Sequence, residues 1–418
     1  MSAGRAERRI TGIDQEQGTV RRRARGLTLL SGETLLVPLL IAACRGGNAT
    51  ATPGETQTPI IEPSPSASAT PTQTPTLELT PSPTATATET LSPREALLTP
   101  SLASVASKAG MEVGVEFTGY EFNDSLWRQT VSEQFNLGII DWGLNWNEIE
   151  PSQGQFDFST ANQEIIFAQL NNMEIRGQAI VFPSDLPNWI KNGNFSKAEL
   201  TDILINHVKT VVGTFKGKVN EWVVVNEPYI YPYRTDDIFY KTIGPDYIDI
   251  AFKAAREADP SATLIYNDTF NHSPASAGQN GITTTLTMQT VKRLKSEGLI
   301  DAVGLEMHLD ASDPPNKQDV TNTMKSYGVP VVVTEFDVDL QKVGGTQAKR
   351  YALQAQIASN MVGACRQSGV CKEFTLWGIG DNYSWLEESM GEKNADPTPF
   401  DDSLNPKDEY FAIRTALS

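Results

Sequence analysis

From about residue 105 to the end of the chain, short apolar runs alternate with longer amphipathic segments. The runs have the length of strands, and the segments between them have the length of helices. The eight runs are Met111–Phe117, Gly138–Trp146, Ile175–Phe182, Val219–Asn226, Thr263–Asn267, Ala302–His308, Val329–Thr334 and Glu373–Trp377. Eight buried strands, each followed by a helix, predict an α/β fold of the (β/α)8 type, a TIM barrel.

Two of the intervening segments have the periodicity of amphipathic helices. Apolar side chains recur every three or four residues from Leu200 to Phe215, and a second helix is expected from Tyr351 to Cys365. An open, doubly wound sheet is the alternative, and a glycine-rich phosphate loop after the first strand would favour it. Residues 113–122 (VGVEFTGYEF) contain no such loop. In a barrel, functional side chains lie at the carboxyl ends of the strands, so the ends of the runs are the positions to inspect.

The first hundred residues have the composition of an export signal and a linker. Four arginines at 21–25 precede the apolar run 35–43, and small residues lead directly into Cys44. This order predicts an export signal, and the sequence before Cys44 resembles a bacterial lipobox, in which the cysteine is lipidated. A short buried helix is the alternative, although Pro38 suits it poorly. The run is too short for a transmembrane helix, which needs ~20 apolar residues.

Residues 44–100 are predicted to form a disordered tether rich in Thr, Pro and Ser. The stretch 48–92 contains thirteen Thr and eight Pro but no aromatic residue, Lys or Arg, so it cannot build an apolar core. The predicted organisation is an export signal of the lipoprotein type at 1–43, the tether at 44–100 and a single barrel at 101–418. It implies a secreted or cell-surface protein that contacts the membrane only through a lipid anchor, and we expect a monomer.

Net charge restricts the class of partner. The whole chain has a formal charge of −17, and the part from Cys44 onward carries 27 basic and 47 acidic side chains, a charge of −20. We expect no binding to nucleic acid or to long polyanions, whereas a neutral polymer meets no electrostatic penalty. The three histidines and the two remaining cysteines have no metal-ligand spacing, so neither a metal nor another cofactor is expected.

Cys365 and Cys371 stand six residues apart in a domain that we expect to be exported. Exported thiols tend to oxidise, so the two cysteines are predicted to form a disulfide. Two free thiols are the alternative.

Two of the eight runs end in a glutamate. Residues 223–227 read VVVNE and residues 331–335 read VVVTE, so Glu227 and Glu335 are expected at the mouth of the barrel, on its fourth and seventh strands. Cleavage of a glycosidic bond needs two such carboxyl groups, one that protonates the leaving oxygen and one that attacks the anomeric carbon. The alternative is that each glutamate forms a structural ion pair with a Lys or Arg of a loop.

The residues around these glutamates resemble glycoside hydrolase family 10, the retaining endo-β-1,4-xylanases. The resemblance covers residues 105–418. Its motifs are NEP at 226–228, TEFD at 334–337, EPSQGQFDFS at 150–159, FKGKVNEWVVVNE at 215–227, IDAVGLEMHL at 300–309, LWGIGDNYSWL at 376–386 and FDDSLNPKDEYFAI at 400–413. It implies a cofactor-free barrel that hydrolyses a polysaccharide with retention of configuration. The Cys365–Cys371 pair also resembles a bridge of that family.

The resemblance implies the reacting groups residue by residue. Glu227 corresponds to the general acid/base and Glu335 to the nucleophile. His308 and Asp337 correspond to a relay behind the nucleophile, in which the imidazole keeps the carboxylate ionised. A histidine of the core is the alternative reading of His308.

The resemblance also implies the residues that hold the sugar at the cleavage point. Asn226 would bind its 2-hydroxyl group, and Trp377 and Trp385 would form aromatic walls around it. Either tryptophan could instead belong to the packing of the barrel.

Other positions depart from the family pattern. On the second strand Trp142 and Asn145 replace the Asn and Lys that grip sugars, and on the third strand Gln178 and Pro183 stand where the family has two histidines. On strand six Glu306 replaces a glutamine and is expected to place a third carboxyl group near Glu335, where a like charge raises the pKa of one member. We expect altered sugar binding, with Trp142 stacking on a sugar face in place of the lost polar contacts.

The sequence therefore predicts a retaining endo-acting glycoside hydrolase that cleaves β-1,4 linkages of xylan or a related neutral plant polysaccharide by double displacement. One alternative is a barrel of altered specificity that acts on another β-glycan or an oligosaccharide. Another is a weakly catalytic, carbohydrate-binding lipoprotein.

Overall fold

The computed structural model describes residues 91–117, 119–229, 237–275, 281–388, 391 and 394–418. Its strands are β1 Glu112–Phe117, β2 Leu137–Ile140, β3 Glu174–Gly177, β4 Glu221–Asn226, β5 Thr263–Asp268, β6 Ala302–Asp310, β7 Val331–Asp339 and β8 Cys371–Leu376. All pair in parallel in sequence order, and β8 also pairs with β1, so the sheet closes on itself. The predicted (β/α)8 barrel is confirmed.

Helices follow the strands of the barrel along the chain. They are α1 Pro93–Leu98, α2 Leu102–Lys108, α3 Ser125–Gln134, α4 Trp146–Ile149, α5 Ser159–Leu170, α6 Asn188–Lys191, α7 Lys197–Thr214, α8 Ile238–Thr242, α9 Tyr247–Ala258, α10 Ile282–Ser296, α11 Lys317–Ser326, α12 Gln347–Ser368, α13 Trp385–Glu388 and α14 Asp408–Leu417. Helix α7 begins with a capping box between Ser196 and Glu199 and buries the predicted apolar stripe. None of these described helices combines the length and the apolar composition that crossing a bilayer requires.

Helix α1 lies within the stretch that the sequence predicted as tether. Leu98 is buried, and Arg94 donates hydrogen bonds to the backbone oxygen of Leu404 and to the hydroxyl of Thr130. The folded part therefore begins before residue 101, because Arg94 and Leu98 already contact residues of the barrel domain. The predicted export signal, Cys44 and the tether up to residue 90 lie outside the described residues.

The second and third strands are shorter than predicted. Strand β2 ends at Ile140, and the chain turns into a 3-10 segment, Trp142–Leu144, before α4 begins. The turn brings Gly143 against α5, where a Cβ atom would lie 2.8 Å from the backbone nitrogen of Ala161. Only glycine allows this approach. As a result Trp142 and Asn145 lie in the loop that follows the strand.

A cluster of charges lies at the amino-terminal end of the barrel. Arg176 of β3 is fully buried and forms ion pairs with Glu221 and Glu373. The carboxyl groups of Glu112, Glu221 and Glu373 lie within 4.8 Å of one another. Burial, followed by the charges of Glu373 and Glu174, raises the pKa of Glu112 to about 7 even though Arg176 opposes the shift. The positive charge of Arg176 therefore offsets the repulsion among these neighbouring carboxyl groups.

Replacing Arg176 with methionine is expected to lower the free energy of unfolding by about 3–5 kcal/mol at neutral pH, because buried carboxylates lose their partner. Chemical denaturation at pH 5 and pH 8 measures the loss. A group such as Glu112, whose pKa is raised on folding, contributes stability below its unfolded pKa and loses it as pH rises through the folded value of about 7. Arg176 lowers the pKa of Glu112, so this pKa is raised further in Arg176→Met and the variant loses more stability than wild type as pH rises. The loss in Arg176→Met should therefore be larger at pH 8 than at pH 5.

Lys209→Met is the matched control, since the Lys209–Glu257 pair is exposed and is worth at most about 1 kcal/mol. Equal losses in the two variants, or a loss in Arg176→Met that does not depend on pH, would contradict this account of the cluster.

Cys365 near the end of α12 and Cys371 at the start of β8 form a disulfide. Both residues are buried. The predicted disulfide is confirmed, and it ties the last long helix to the strand that closes the barrel.

Candidate active site

Glu227 and Glu335 lie at the carboxyl-terminal end of the barrel. Glu227 directly follows β4, and its backbone nitrogen donates a hydrogen bond to the backbone oxygen of Asn267 at the end of β5. Its φ of 48° lies in the left-handed region, which costs a non-glycine residue free energy and is concentrated at functional sites. Glu335 lies within β7, directly after a register shift that leaves Thr334 without a partner on β6. Such bulges redirect a side chain.

Three hydrogen-bond donors surround the carboxyl group of Glu335. Oε1 accepts from Nε2 of Gln178 at 2.5 Å and from Nδ2 of Asn267 at 2.9 Å, and Oε2 accepts from Nε2 of His308 at 3.0 Å. The side chain is also buried. A carboxyl group that accepts on both oxygens and donates to none is in the environment of an anion.

His308 joins Glu335 to Asp337. Its Nδ1 lies 2.9 Å from Oδ2 of Asp337 and its Nε2 lies 3.0 Å from Glu335, so both ring nitrogens face carboxylate oxygens and both must carry hydrogen. Burial opposes a charged ring, but Asp337 and Glu335 outweigh burial and raise the pKa of His308 to about 10. The ring is therefore an imidazolium at neutral pH. It is not a histidine of the apolar core.

The side chain of Asn267 forms hydrogen bonds to four other residues of the site, and the sequence analysis did not predict this residue. Its Nδ2 lies 2.7 Å from Oδ1 of Asn226 and 2.9 Å from both Glu306 Oε1 and Glu335 Oε1, while its own oxygen accepts from Thr334. One fully buried amide thus connects β4, β5, β6 and β7. The available signal was an Asn-Asp pair at the end of an apolar run, at 267–268.

Glu306 lies opposite Glu335 in the register of β6 and β7, and it is 1 % exposed. Its Oε1 accepts from Asn267 at 2.9 Å, and no N–H or O–H group of the described residues donates to its Oε2. The carboxyl group is in hydrogen-bonding contact with that of Glu227. Burial, followed by the charges of Glu335, Glu227 and Asp268, raises the pKa of Glu306 well above its usual value. A third carboxyl group therefore lies between the two strand-end glutamates.

Two predicted tryptophans lie beside His308. The ring of Trp385 is centred 4.9 Å from the imidazole, and its Nε1 donates to Oδ2 of Asp337 at 2.7 Å. Trp377 is centred 6.1 Å away and packs on the apolar side chains of Leu137 and Ile139 inside the barrel. Both therefore border the charged site, and Trp377 also serves as barrel packing.

The residues predicted from strands two and three lie in two places. Gln178 is buried against Glu335 and donates to it. Asn145 is also buried, and its amide donates to the carboxylate of Asp185 after β3. Trp142 is partly exposed in the loop after β2. Of these three side chains, Trp142 is the one with substantial exposed surface.

The spacing of Glu306, His308 and Glu335, with ligand atoms within 4.8 Å, is within the range of a metal site. Both nitrogens of His308 are already hydrogen-bonded to carboxylates, and an imidazolium offers no lone pair to a metal. The arrangement is therefore suited to acid–base and nucleophilic chemistry by carboxyl groups.

The sequence profile of glycosyl hydrolase family 10 matches residues 101–416. The chain is 33% identical over 295 residues to endo-1,4-beta-xylanase B of Thermotoga neapolitana, covering 69% of this chain and 82% of the relative. It is 33% identical over 325 residues to endo-1,4-beta-xylanase A of Phanerodontia chrysosporium, covering 75% of this chain and 76% of the relative.

Solved structures match the barrel as well. Native xylanase 10B from Thermotoga maritima superposes with a TM-score of 0.70 at 30% identity and covers 76% of this chain and 98% of its own. Xylanase 10B from Thermotoga petrophila RKU-1 in complex with xylobiose superposes with a TM-score of 0.70 at 31% identity, covering 76% of this chain and 97% of its own. With the profile, the barrel and the strand-end carboxyl groups in agreement, this chain belongs to glycosyl hydrolase family 10.

Proposed function

We propose that this protein is a retaining, endo-acting hydrolase of β-1,4-linked xylan, with Glu335 as nucleophile and Glu227 as general acid/base. The observation that carries the proposal is the contrast between the two carboxyl groups. Glu335 accepts three hydrogen bonds and is held as an anion, whereas Glu227 contacts another carboxyl group, that of Glu306. Relatives at 33% identity are named endo-1,4-beta-xylanases, which supports xylan as the substrate class.

In the first step Glu335 attacks the anomeric carbon while Glu227 gives its proton to the leaving glycosidic oxygen. The imidazolium of His308 stabilises the anionic nucleophile before attack, and Gln178 and Asn267 orient it. The oxygen of Asn226 accepts from Asn267, so its amide nitrogen is the end available to a sugar hydroxyl. The products of this step are a glycosyl ester on Glu335 and a shortened chain.

In the second step Glu227, now a carboxylate, takes a proton from water, and the oxygen of that water attacks the anomeric carbon. Glu335 leaves as a carboxylate and regains its three hydrogen bonds. Two inversions give net retention of configuration. Each residue therefore ends the cycle in the protonation state in which it began.

Reducing-sugar release from xylan and from a panel of other neutral β-glycans tests the substrate. We expect xylan to be hydrolysed, with oligosaccharides of several lengths appearing early because cleavage is internal. Hydrolysis of another β-glycan in preference to xylan would instead support a barrel of altered specificity. One observation favours that candidate: the amide of Asn145 donates to Asp185 within the protein, so this hydrogen bond is not made to a sugar. Sugar binding with no hydrolysis at any pH from about 4 to 8 would establish a binding protein.

Trp142→Ala is expected to raise KM for xylo-oligosaccharides about 5- to 30-fold with little change in kcat, because a partly exposed indole stacks on a neutral sugar face. Steady-state kinetics on a length series measures it, and Trp142→Phe, which keeps an aromatic face, should retain most of the affinity. Unchanged binding of all oligosaccharides in Trp142→Ala would remove Trp142 from the substrate site.

We also propose that the protein is exported, anchored by a lipid on Cys44 and monomeric. The four arginines, the apolar run and the Thr/Pro-rich stretch support export and tethering. Mass spectrometry of the mature amino terminus and its lipid, with sedimentation of the purified protein, tests these three points.

A further inference from the structure

Glu306 is a buried acid in a site that is already acidic. The charged or titratable groups that face it are Glu335 on β7, Glu227 after β4, Asp268 on β5 and His308 on its own strand. His272, after β5, bonds to its backbone oxygen, and burial lowers the pKa of that imidazole to about 4, so it is neutral. The only cation in this set is His308, which Glu335 and Asp337 already occupy. Glu306 therefore has no counter-ion among them.

Hydrogen-bond donors are also too few for a charged Glu306. Oε1 is one of three acceptors around the two amide hydrogens of Asn267, and Oε2 has no donor in the described part of the chain. An ionised carboxylate buried with one shared donor and no cation is strongly disfavoured. A protonated Glu306, in contrast, is neutral and can itself donate a hydrogen bond through its hydroxyl group.

Among the described carboxyl groups that face Glu306, that of Glu227 is the acceptor within hydrogen-bonding reach of this proton. Glu335 has both oxygens engaged by three donors, whereas the carboxyl group of Glu227 is in hydrogen-bonding contact with Glu306. We propose that Glu306 is a positioning residue that remains protonated throughout the cycle and donates its hydroxyl hydrogen to Glu227, so that the acid/base is held by a second carboxyl group. This inference rests on the proposed role of Glu227.

The proton balance of the cycle is unchanged by this pair. Glu227 gives its own proton to the leaving oxygen and takes one back from water, while Glu306 keeps its proton in both steps. The hydrogen bond from Glu306 strengthens when Glu227 becomes anionic, because charge-assisted hydrogen bonds are stronger than neutral ones. It therefore stabilises the carboxylate of the glycosyl-enzyme state and aims it at the incoming water.

The pair also has a consequence for pH dependence. Burial and the neighbouring carboxylates raise the pKa of Glu306, so it is protonated at low pH and loses its proton only as pH rises through the raised value. Loss of that proton removes the donor and adds a third negative charge. The alkaline limb of kcat/KM should then reflect the loss of more than one proton, as in other coupled pairs.

Two variants of Glu306 and one control test whether a neutral hydrogen-bond donor is what this position supplies. Glu306→Gln keeps a donor of the same shape and should retain kcat within about threefold, with a one-proton alkaline limb. Glu306→Met keeps the volume without a donor and should lower kcat about 10- to 100-fold at unchanged KM. Thermal unfolding checks that all variants fold. Glu297→Gln, at the exposed carboxyl-terminal cap of α10, is the control.

Infrared difference spectra of wild type and Glu306→Gln provide a readout that needs no turnover. We expect the carbonyl band of a protonated carboxyl group at neutral pH in wild type and its loss in Glu306→Gln. Absence of that band, equal losses of kcat in the Gln and Met variants, or wild-type kcat in Glu306→Met would each overturn the proposal. Full activity in Glu227→Ala would instead overturn the proposed acid/base, whatever the infrared result.

Discussion

Replacing Glu335 with glutamine is expected to lower kcat on the polysaccharide by on the order of 10⁴-fold or more, because no other group attacks the anomeric carbon in the proposed mechanism. The variant should fold normally, since glutamine has the same shape and its oxygen can still accept from Gln178 and Asn267, which both donate to the Oε1 position. Reducing-sugar release and thermal unfolding of both proteins give the two measurements. Binding of xylo-oligosaccharides should persist in the inactive variant.

Glu297→Gln makes the same chemical change at an exposed carboxylate paired with Lys253, so its activity should equal that of wild type. Residual activity of Glu335→Gln above about 1% of wild type, with contaminating wild-type protein excluded, would mean that Glu335 is not the nucleophile.

Replacing Glu227 with alanine is expected to lower kcat/KM on the polysaccharide by about 10²- to 10⁴-fold, the usual contribution of general acid–base catalysis. The loss should be much smaller in the first step for aryl glycosides with good leaving groups, because such groups depart without a proton. The glycosyl-enzyme should then accumulate, since water lacks a base. Stopped-flow release of the aryl group measures the burst.

Added azide should restore turnover in Glu227→Ala, because a small anion attacks the glycosyl-enzyme without a base. The product should be a glycosyl azide of retained β-configuration, while wild type should be unaffected. An inverted azide product, or no rescue together with no burst, would contradict the assignment of Glu227 as acid/base in a double displacement.

The two reacting carboxyl groups could be predicted from the chain because the rule behind them is local. An apolar run such as 223–225 predicts a buried strand, and parallel strands of a barrel present their ends on one face, so a glutamate at each end is placed without knowledge of contacts. The pairing of His308 with Asp337 follows from the register of two adjacent strands.

Contacts that depend on bulges and on several strands together could not be predicted in the same way. Asn267 joins four strands through one amide, and nothing in its local sequence specifies that geometry. Glu306 was expected near Glu335, but its contact with Glu227 depends on how side chains of β4 and β6 meet inside the barrel. The early end of β2 depends on Gly143 packing against α5, a tertiary contact.

Covalent trapping of the nucleophile is the most direct measurement of the central claim. A 2-deoxy-2-fluoro-β-xylobioside with an activated aryl leaving group should inactivate the enzyme with one glycosyl group bound per chain, because the fluorine slows both steps while the good leaving group keeps the first step fast. Mass spectrometry of the digested adduct should find the sugar on Glu335. Attachment to Glu306, to Glu227 or to any other residue would contradict the mechanism proposed for this barrel.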